Sequence, residues 1–353
     1  VCGGGRTPTF VNIIEFITMA STGNTTDFGD LSVTRGYATG ASNSIRGTFG
    51  GGLTPSISNV IDFITIASTG DATDFGDLTV ARNYLAGLGN GHGGIDHSTF
   101  QRPSVTYMPG SGRTLIFGGN RSSADSKNID MFHVTTLGNA SDFGDLSRIN
   151  DNNTACASVT RGICDIGDSP SDSFNTHIDS IEFQSQGNSA DFGDPLTNSV
   201  RMASLSSPTR TIMAGSSGVS NVIQYVTTAT TGNGTDFGDL LAAVGYCSGA
   251  GNATRGLIMG GYGASPTFKD TIQYITIASA GNSIDFGNLI SGVTSGAATS
   301  SGTRALYAGG ESTSAFNVIE YVEIASTGNA TDFGDLTVTR YNVGSVSNSH
   351  GGI

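Results

Sequence analysis

The sequence predicts an all-β fold, a seven-bladed β-propeller made of four-stranded antiparallel blades. The motif Asp-Phe-Gly-Asp occurs seven times in 353 residues, once as Asp-Phe-Gly-Asn. Successive copies are 47, 68, 49, 45, 49 and 47 residues apart, a period typical of propeller blades. Each unit contains four short apolar runs, bounded by Gly, Ser, Thr and Asn and without helical periodicity. Four short strands repeated seven times favour a propeller over a sandwich.

The two chain ends complete one further repeat. The interval from the last motif, at Asp332, through the C-terminus to the first motif, at Asp27, is 48 residues. We therefore predict one domain, 1–353, closed by N-terminal strands that pair with a C-terminal strand. The predicted blades cover 1–34 with 340–353, 36–80, 83–148, 150–198, 201–242, 244–292 and 294–338.

One interval, of 68 residues, is longer than the others. Residues 102–118 already contain two predicted strands joined by a turn. The sequence therefore predicts that 83–101 is an insertion, a long loop between blades 2 and 3. Loops of this length in compact folds are usually functional or disordered.

Blade 6 illustrates the predicted order and composition of the four strands in each unit. Strand A consists of small residues (246–250), strand B of apolar residues (257–261), and strand C of β-branched and aromatic residues (271–277). Strand D opens with the motif at Asp285. Apolar residues occur at both odd and even positions of strand C and so on both faces of the sheet, as expected when neighbouring blades cover both faces.

These units resemble the kelch repeat, which carries a Gly-Gly pair after strand B, a Tyr in strand C and a Trp in strand D. The motif Phe stands where kelch has Trp, and this chain contains no Trp. The resemblance implies a ring closed by strand A from the far terminus, 341–349, beside 1–5. The repeated stretch of the form ITIASTGNATDFGDLTVAR also resembles repeat proteins of marine tailed viruses. The matching kelch positions are Gly51-Gly52, Gly118-Gly119, Gly260-Gly261, Gly309-Gly310, Tyr225, Tyr274 and Tyr321.

The charge balance indicates which partners to expect. The net charge is −13, and the repeated motifs supply 13 of the aspartates. A chain this acidic lacks the positive surface that nucleic acid or an anionic membrane requires. No apolar run approaches 18 residues, so we expect no membrane insertion. The four cysteines lack metal-ligand spacing; Cys156 and Cys164 are either cross-strand partners or free buried thiols.

The repeated acidic motif is interpreted as a structural latch between turns. Its likeness to a kinase metal-binding sequence is coincidental, because no partner motif of a kinase is present. A calcium site is an open alternative, and otherwise no cofactor is predicted. The A–B turns carry arginines on the same face as the motif, and we predict that each Arg bonds a motif Asp. The latch residues are Asp27, Asp74, Asp142, Asp191, Asp236, Asp285, Asp332, Arg46, Arg113, Arg161, Arg210, Arg255 and Arg304.

The B–C and D–A loops are expected on the opposite face, and they differ most between repeats. Uniform blades beneath variable loops are typical of a scaffold that presents a recognition surface. Aromatic and small polar side chains there suit sugar or protein contacts. The binding candidates are Phe10, Tyr84, His92, His97, Arg121, Phe174, Tyr262, Phe268 and Phe316.

We therefore expect a non-enzymatic recognition or adhesion module, displayed outside the cell or on a virion, that binds a glycan or a protein receptor. Two alternatives stay open: a polysaccharide hydrolase or lyase, and an assembly spacer that binds only neighbouring subunits. An enzyme should place two carboxylates or a His–Tyr pair at the central mouth. A binder should instead show aromatic side chains on the rim.

Overall fold

The computed structural model describes residues 1–353 except 44, 90–112, 122–123, 134–135, 151–153, 158–160, 166–176, 198–199, 208, 343 and 346–353. The described residues form β-strands and connecting turns and contain no α-helix. In this described part of the chain, nothing helical has the length and apolar character needed to cross a membrane.

Within the described residues, thirty strands form seven antiparallel sheets, one per blade, arranged as a ring. The predicted seven-bladed propeller is therefore confirmed. Blade 1 contains β1 (Cys2–Gly3), β2 (Ile13–Phe16) and β3 (Thr26–Asp30), and is completed by β30 (Gly344–Ser345). Blade 2 contains β4 (Thr39–Ser42), β5 (Arg46–Gly50), β6 (Val60–Thr65) and β7 (Thr73–Asp77). Blade 3 contains β8 (Ala86–Gly89), β9 (Arg113–Phe117), β10 (Asn120–Arg121), β11 (Ala124–His133) and β12 (Ser141–Asn150).

The remaining blades follow the same A to D order. Blade 4 contains β13 (Thr154–Ala157), β14 (Arg161–Asp165), β15 (Ile178–Glu182) and β16 (Ala190–Gly193). Blade 5 contains β17 (Ala203–Ser206), β18 (Arg210–Ala214), β19 (Ser220–Thr227) and β20 (Thr235–Gly245). Blade 6 contains β21 (Ser248–Gly251), β22 (Arg255–Met259), β24 (Thr271–Thr276) and β25 (Ile284–Asn288). The short β23 (Tyr262–Gly263) of its B–C loop pairs with β20 of blade 5. Blade 7 contains β26 (Ala297–Ser300), β27 (Arg304–Ala308), β28 (Val318–Glu323) and β29 (Thr331–Asp335).

The A strands contact one another at the centre of the ring, which explains their small residues. A Cβ added at Gly87 of β8 would lie 2.8 Å from the hydroxyl of Thr39 in β4. A Cβ at Gly249 would lie 2.6 Å from the carbonyl oxygen of Ser204. Larger side chains at these positions would force the blades apart, since neither close contact leaves room for one.

The position of β8 corrects the predicted insertion. This strand falls within 83–101, the stretch that the sequence analysis placed in a loop between blades 2 and 3. It instead forms strand A of blade 3, with Leu88 opposite Leu115 of β9. The extra residues therefore follow strand A, between Gly89 and Arg113, and 90–112 lie outside the described residues. The small-residue run 86–89 was itself the signal for strand A, because only such a strand fits the crowded centre.

The ring closes in blade 1 through both chain ends, as predicted. In β30, Ser345 pairs with Cys2 of β1, and Gly344 pairs with Gly3. Tyr341 and Arg6 form a further antiparallel bridge. The blade therefore combines one strand from the far end of the chain with three from the near end, which ties the termini together.

The core lies between blades and is built on the motif. All seven motif phenylalanines are 2–3% exposed. In five blades the ring packs edge-on against the aromatic residue of strand C, as in the pair Tyr321–Phe333 at 5.7 Å. Edge-to-face pairs at this separation contribute beyond their buried area.

The same motif also joins each blade to the next. The amide N–H of the fourth motif residue donates to an Asn or Asp side chain in the C–D turn of the following blade. At the closing seam, Asp335 N–H donates to Asn24 Oδ1 over 3.2 Å. The motif glycine faces the backbone of that turn, so Gly334 lies against Gly23. The latch is thus made by backbone and Asn groups rather than by the first motif aspartate, whose side chain is exposed.

Substituting Gly334 by Ala should loosen the seam. Gly334 has φ 146°, which side chains rarely adopt, and its Cβ would meet the backbone of Gly23. We expect a loss of roughly 1–3 kcal/mol in the free energy of unfolding, measured by chemical denaturation. Gly328→Ala is the matched control, because its Cβ would meet nothing within 4 Å. Equal stability of the two variants would contradict this account of the seam.

The predicted Arg–Asp latch is wrong for Arg210, Arg255 and Arg304. Their guanidinium groups donate instead to a backbone carbonyl of the next blade, at 2.6–2.7 Å, for example Arg255 to Ile324. Each also lies over the aromatic ring of its own strand C, at 4.4–4.6 Å. Arg304 also pairs with Glu323 of its own blade at 2.6 Å. Stacking and an inter-blade hydrogen bond replace the predicted ion pair with the motif, because the motif carboxylates stay in water.

The other three arginines of this set share parts of that arrangement. Arg161 donates to the Thr228 carbonyl of blade 5 at 3.1 Å and pairs with Glu182 of its own blade at 2.6 Å. Arg113 donates to the Phe183 carbonyl of blade 4. Arg46 lies 4.7 Å from the centre of the Phe63 ring. The A–B turns therefore bind to the neighbouring blade mainly through carbonyl oxygens.

A second set of arginines, which the sequence analysis missed, lies buried between blades. We call Arg35, Arg82 and Arg340 the joint arginines; each precedes a strand A and is 0% exposed. Arg35 donates to Asp62 Oδ2 and to the Val60 carbonyl of blade 2, both at 2.7 Å. Arg82 pairs with Asp130 of blade 3 in the same way.

At the seam, Arg340 pairs with Glu15 of blade 1. The three acidic partners occupy the same position of strand C and are themselves 0% exposed. Each pair links the end of one blade to the middle of the next, with both charges buried.

All four cysteines are free thiols. Cys156 lies opposite Ile163, and Cys164 lies opposite Ala155, so the two do not face each other across β13 and β14. Burial raises the pKa of Cys156 and of Cys247 to about 11. The alternative of free buried thiols is therefore the one found.

Candidate functional site at the mouth of the ring

Among the described residues, six with positive φ surround the central mouth on the face of the B–C and D–A loops. Each lies shortly before a strand A, and all six line one cavity. We call them the collar. Their φ values lie between 51° and 58°, in the left-handed region that few non-Gly residues adopt. The collar residues are Tyr37, Tyr84, Arg201, Tyr246, Ser295 and Asn342.

Backbone hydrogen bonds between blades explain this conformation. Tyr84 N–H donates to the Tyr37 carbonyl at 3.2 Å, and Tyr246 N–H donates to the Arg201 carbonyl at 3.3 Å. The line continues from Ser295 to Tyr246 at 3.4 Å and from Asn342 to Ser295 at 3.0 Å. The left-handed turn thus aims one amide at the preceding blade, and two stretches of such bonds fix the collar backbone between neighbouring blades.

The collar side chains stack across the mouth. Tyr37 and Tyr84 have ring centroids 4.4 Å apart. The Arg201 guanidinium carbon lies 5.5 Å from the Tyr84 centroid and 4.9 Å from the Tyr246 centroid. Cation–π attraction therefore places one arginine between two tyrosines of distant blades.

Loop residues extend this stack at both ends. Phe10 meets Tyr37 edge-on at 6.2 Å, and Tyr262 meets Tyr246 at 6.4 Å. Phe268 in turn packs against Tyr262 at 6.1 Å. The mouth thereby carries a continuous row of aromatic rings with one guanidinium group in the middle.

A cavity of about 650 Å³ lies at this row of rings, a size that suits a small ligand or a few sugar units. A second cavity of about 280 Å³ shares the collar and reaches Cys247 and Ser248, at the entry to the central strands. The larger cavity is lined by Arg6, Tyr37, Tyr84, Arg201, Ser217, Tyr246, Tyr262, Phe268, Thr294, Ser295, Glu311, Ser312, Tyr341 and Asn342.

The charged groups of this cavity are two arginines and one carboxylate, counted over the lining residues that the structure describes. Arg6 is exposed and donates to the Tyr37 hydroxyl at 3.3 Å. Burial raises the pKa of Glu311, although the nearby Arg6 opposes the shift. Burial also raises the pKa of Tyr341, with Glu311 contributing. The described lining of this cavity therefore carries two basic groups and one acidic group on an acidic protein.

The structure brings four of the predicted binding residues to this region. Tyr84, Tyr262 and Phe268 line the larger cavity, and Phe10 packs against its edge at Tyr37. Phe316 instead packs against a core cluster of blades 6 and 7, because its loop folds back onto the sheet.

The other four predicted binding residues are accounted for as follows. Arg121 belongs to the two-residue strand β10. His92, His97 and Phe174 lie outside the described residues. Among the residues described, no group of three or more His, Cys, Asp or Glu side chains converges as metal ligands would.

Sequence reasoning missed Arg6, Tyr37, Arg201, Tyr246 and Glu311. A signal did exist: Gly36-Tyr37, Asn83-Tyr84 and Gly245-Tyr246 repeat immediately before strand A. An aromatic residue that recurs at one turn position of a propeller meets its counterparts at the axis. Arg201 stands at the same position and breaks the aromatic pattern.

Comparison with known proteins adds no family to this description. No protein-family model matches the chain, and no curated protein matches it either. The seven-bladed propeller and the collar at its mouth are therefore the features from which a function has to be inferred.

Proposed function

We propose that this protein is a non-enzymatic recognition module that binds a glycan at the collar. The observation that carries the proposal is the rigid row of aromatic rings around Arg201 beside a cavity of about 650 Å³. Aromatic faces pack against the C–H faces of sugar rings, while polar groups between them bind hydroxyls.

The collar is preorganised, which favours tighter binding than a site whose side chains become ordered only when the ligand binds. The backbone bonds between collar residues hold the stacking surfaces in place before a ligand arrives. Little conformational freedom is then lost on binding, which increases the affinity of a given set of contacts.

The lining residues favour a binder over the alternative of a hydrolase or lyase. Among the described lining residues there is one carboxylate, Glu311, and no histidine. Acid–base cleavage of a glycosidic bond ordinarily uses two carboxylates facing the scissile bond.

The proposal extends to a kelch-like relationship and to display outside the cell or on a virion, as a tail-fibre or decoration component. Support comes from the Gly-Gly and Tyr positions of the repeats and from the nearly identical amino-acid sequences of the repeated units. Mass spectrometry of particles and of culture supernatant from the source tests the location. Detection only inside cells would contradict it, and would leave the assembly-spacer alternative to be tested by association of purified protein.

Replacing a collar tyrosine should weaken glycan binding by about tenfold or more, because one stacking surface is lost. Tyr84→Asn and Tyr246→Asn are the variants of choice, since Asn342 holds the same backbone conformation in the collar. Binding is first found on a glycan array and then measured by calorimetry.

Ile284→Ala is the control, because Ile284 is 55% exposed beside the C–D turn on the other face. It should bind as the parent protein does. If the folded parent binds no glycan on the array, or if the collar variants bind as tightly as the control, the proposed function is wrong.

A further inference from the structure

We infer that the ligand of the mouth is an anionic saccharide, bearing carboxylate or sulfate groups, and that Arg201 with Arg6 recognises the acidic group. This inference rests on the proposed function and names the class of glycan. Its basis is the placement of charge in the molecule, which differs between the two faces of the ring.

Positive charge is scarce in this chain, and two of its arginines line the cavity at the mouth. The whole protein has 16 Lys and Arg residues against 29 Asp and Glu residues. The joint arginines are buried and neutralised by their acidic partners. The A–B turn arginines serve inter-blade contacts on the opposite face. Arg6 and Arg201 nevertheless line the same cavity.

The acidic residues follow the reverse pattern. The motif aspartates are on the face opposite the mouth, where the first aspartate of each motif is exposed. Of the described lining residues only Glu311 is acidic, and burial favours its neutral form. An anion that approaches the described lining therefore meets two guanidinium groups and one carboxylate, which favours electrostatic attraction.

The geometry at Arg201 matches an acidic sugar. The Arg201 guanidinium carbon lies over the Tyr84 and Tyr246 rings, 5.5 and 4.9 Å from their centroids, so the group is held beside both stacking surfaces. Guanidinium donors lie in the plane of the group and match the two oxygens of a carboxylate or sulfate. A pyranose ring on a neighbouring tyrosine would bring its acidic substituent to the edge of Arg201.

Calorimetry with three tetrasaccharides tests the inference: an oligouronate, a sulfated oligosaccharide and a neutral one, each at 50 and 300 mM salt. We expect either or both acidic probes to bind at least tenfold more tightly than the neutral probe at low salt. The difference should shrink at high salt, because screening weakens charged contacts. The acidic probe that binds more tightly shows whether the site prefers carboxylate or sulfate groups.

Variants assign the effect to the mouth. Arg201→Asn should remove most of the preference, and Arg6→Gln should reduce it severalfold. Glu311→Gln should leave acidic binding equal or stronger. Arg148→Gln, an exposed arginine of β12, removes the same charge away from the mouth and should change little. Near-UV circular dichroism and melting confirm that Arg201→Asn is folded, and Asn342 provides the precedent for Asn at this position.

Equal binding of neutral and acidic probes would overturn this inference and leave the proposed function standing. A preference that survives Arg201→Asn together with Arg6→Gln would also overturn it. Tighter binding of the neutral probe than of both acidic probes would contradict the assigned charge. Binding of no saccharide by the folded parent protein would instead overturn the proposed function itself.

Discussion

Replacing Arg340 by Val should destabilise the closing seam by about 3–5 kcal/mol, and adding Glu15→Gln should recover most of that loss. Arg340 and Glu15 are both 0% exposed, and Arg340 also donates to the carbonyls of Gly4 and Ile13 at 3.0 Å. Removing the arginine leaves the Glu15 carboxylate buried without its cation, which costs several kcal/mol.

The double variant copies a joint that the protein already uses elsewhere. In blade 7 the backbone carbonyl of Arg340 faces Gly309, and in blade 5 the carbonyl of Val244 faces Gly215 in the same way. Val244 therefore holds the position equivalent to Arg340. Where valine takes this place before blade 6, the strand C partner is Gln273, whose Oε1 accepts from Leu241 N–H at 2.9 Å. An apolar residue with an uncharged amide therefore fits the same space without a buried charge.

A double-mutant cycle by denaturant unfolding measures the coupling, with Glu15→Gln alone as the fourth corner. We expect a coupling free energy of about 2 kcal/mol or more between the two positions. Hydrogen exchange of β1 and β2 should show whether the loss is located at the seam. The interpretation fails if Arg340→Val and the double variant are equally unstable.

Glu320→Gln should stabilise the protein by about 3 kcal/mol at pH 8 and by little at pH 5. Glu320 holds the strand C position that pairs with a joint arginine in blades 1, 2 and 3, but Val293 stands at the joint-arginine position before blade 7. It is 4% exposed and accepts from Ile290 N–H at 2.6 Å. Burial, with a smaller contribution from Asp332, raises the pKa of Glu320 from its ordinary 4.5 to about 7.

The sign of the effect follows from the raised pKa. Between pH 4.5 and 7 the folded protein holds a proton that the unfolded chain releases, so the stability of the parent protein falls as pH rises through this window. Glutamine cannot ionise, and the Gln variant escapes this loss. Melting curves of the parent and Glu320→Gln between pH 4.5 and 8.5 should diverge towards high pH.

A complementary variant supplies the missing cation instead. Val293→Arg together with the native Glu320 recreates the arrangement of Arg35 with Asp62. It should lower the pKa of Glu320 and reduce the pH dependence, provided that the fold is retained. Melting curves of parent and Glu320→Gln that stay parallel at all pH values would show that Glu320 is not the group responsible.

The buried joints show why side-chain partners were harder to predict than strands. Arg35, Arg82 and Arg340 are visible in the sequence as a recurrent arginine after strand D, and their partners as an acid in strand C. A different set of arginines, those of the A–B turns, was expected to pair with the motif aspartates, because opposite charges on one face attract. In the structure those aspartates stay in water, whereas the true partners are desolvated between blades.

The mouth illustrates the same limit at the functional site. Tyr84, Tyr262 and Phe268 were predicted as isolated loop residues, and their proximity to one another was not. Tyr84 and Arg201 are 117 positions apart, with the whole of blade 4 between them. Only the closure of the ring around its axis makes them neighbours. The placement of β8 likewise depended on the crowding of the A strands at that axis.

The sequence by itself determined the repeat, the four-strand pattern of each blade, their number and the closure of the ring by both termini. These features follow from local periodicity and from a count that wraps around the ends. The tertiary structure alone decided which arginines are buried, which turn residues form the collar and which arginines line the mouth. Those features depend on desolvation and on distances between blades, which arise only when seven similar units meet around one axis.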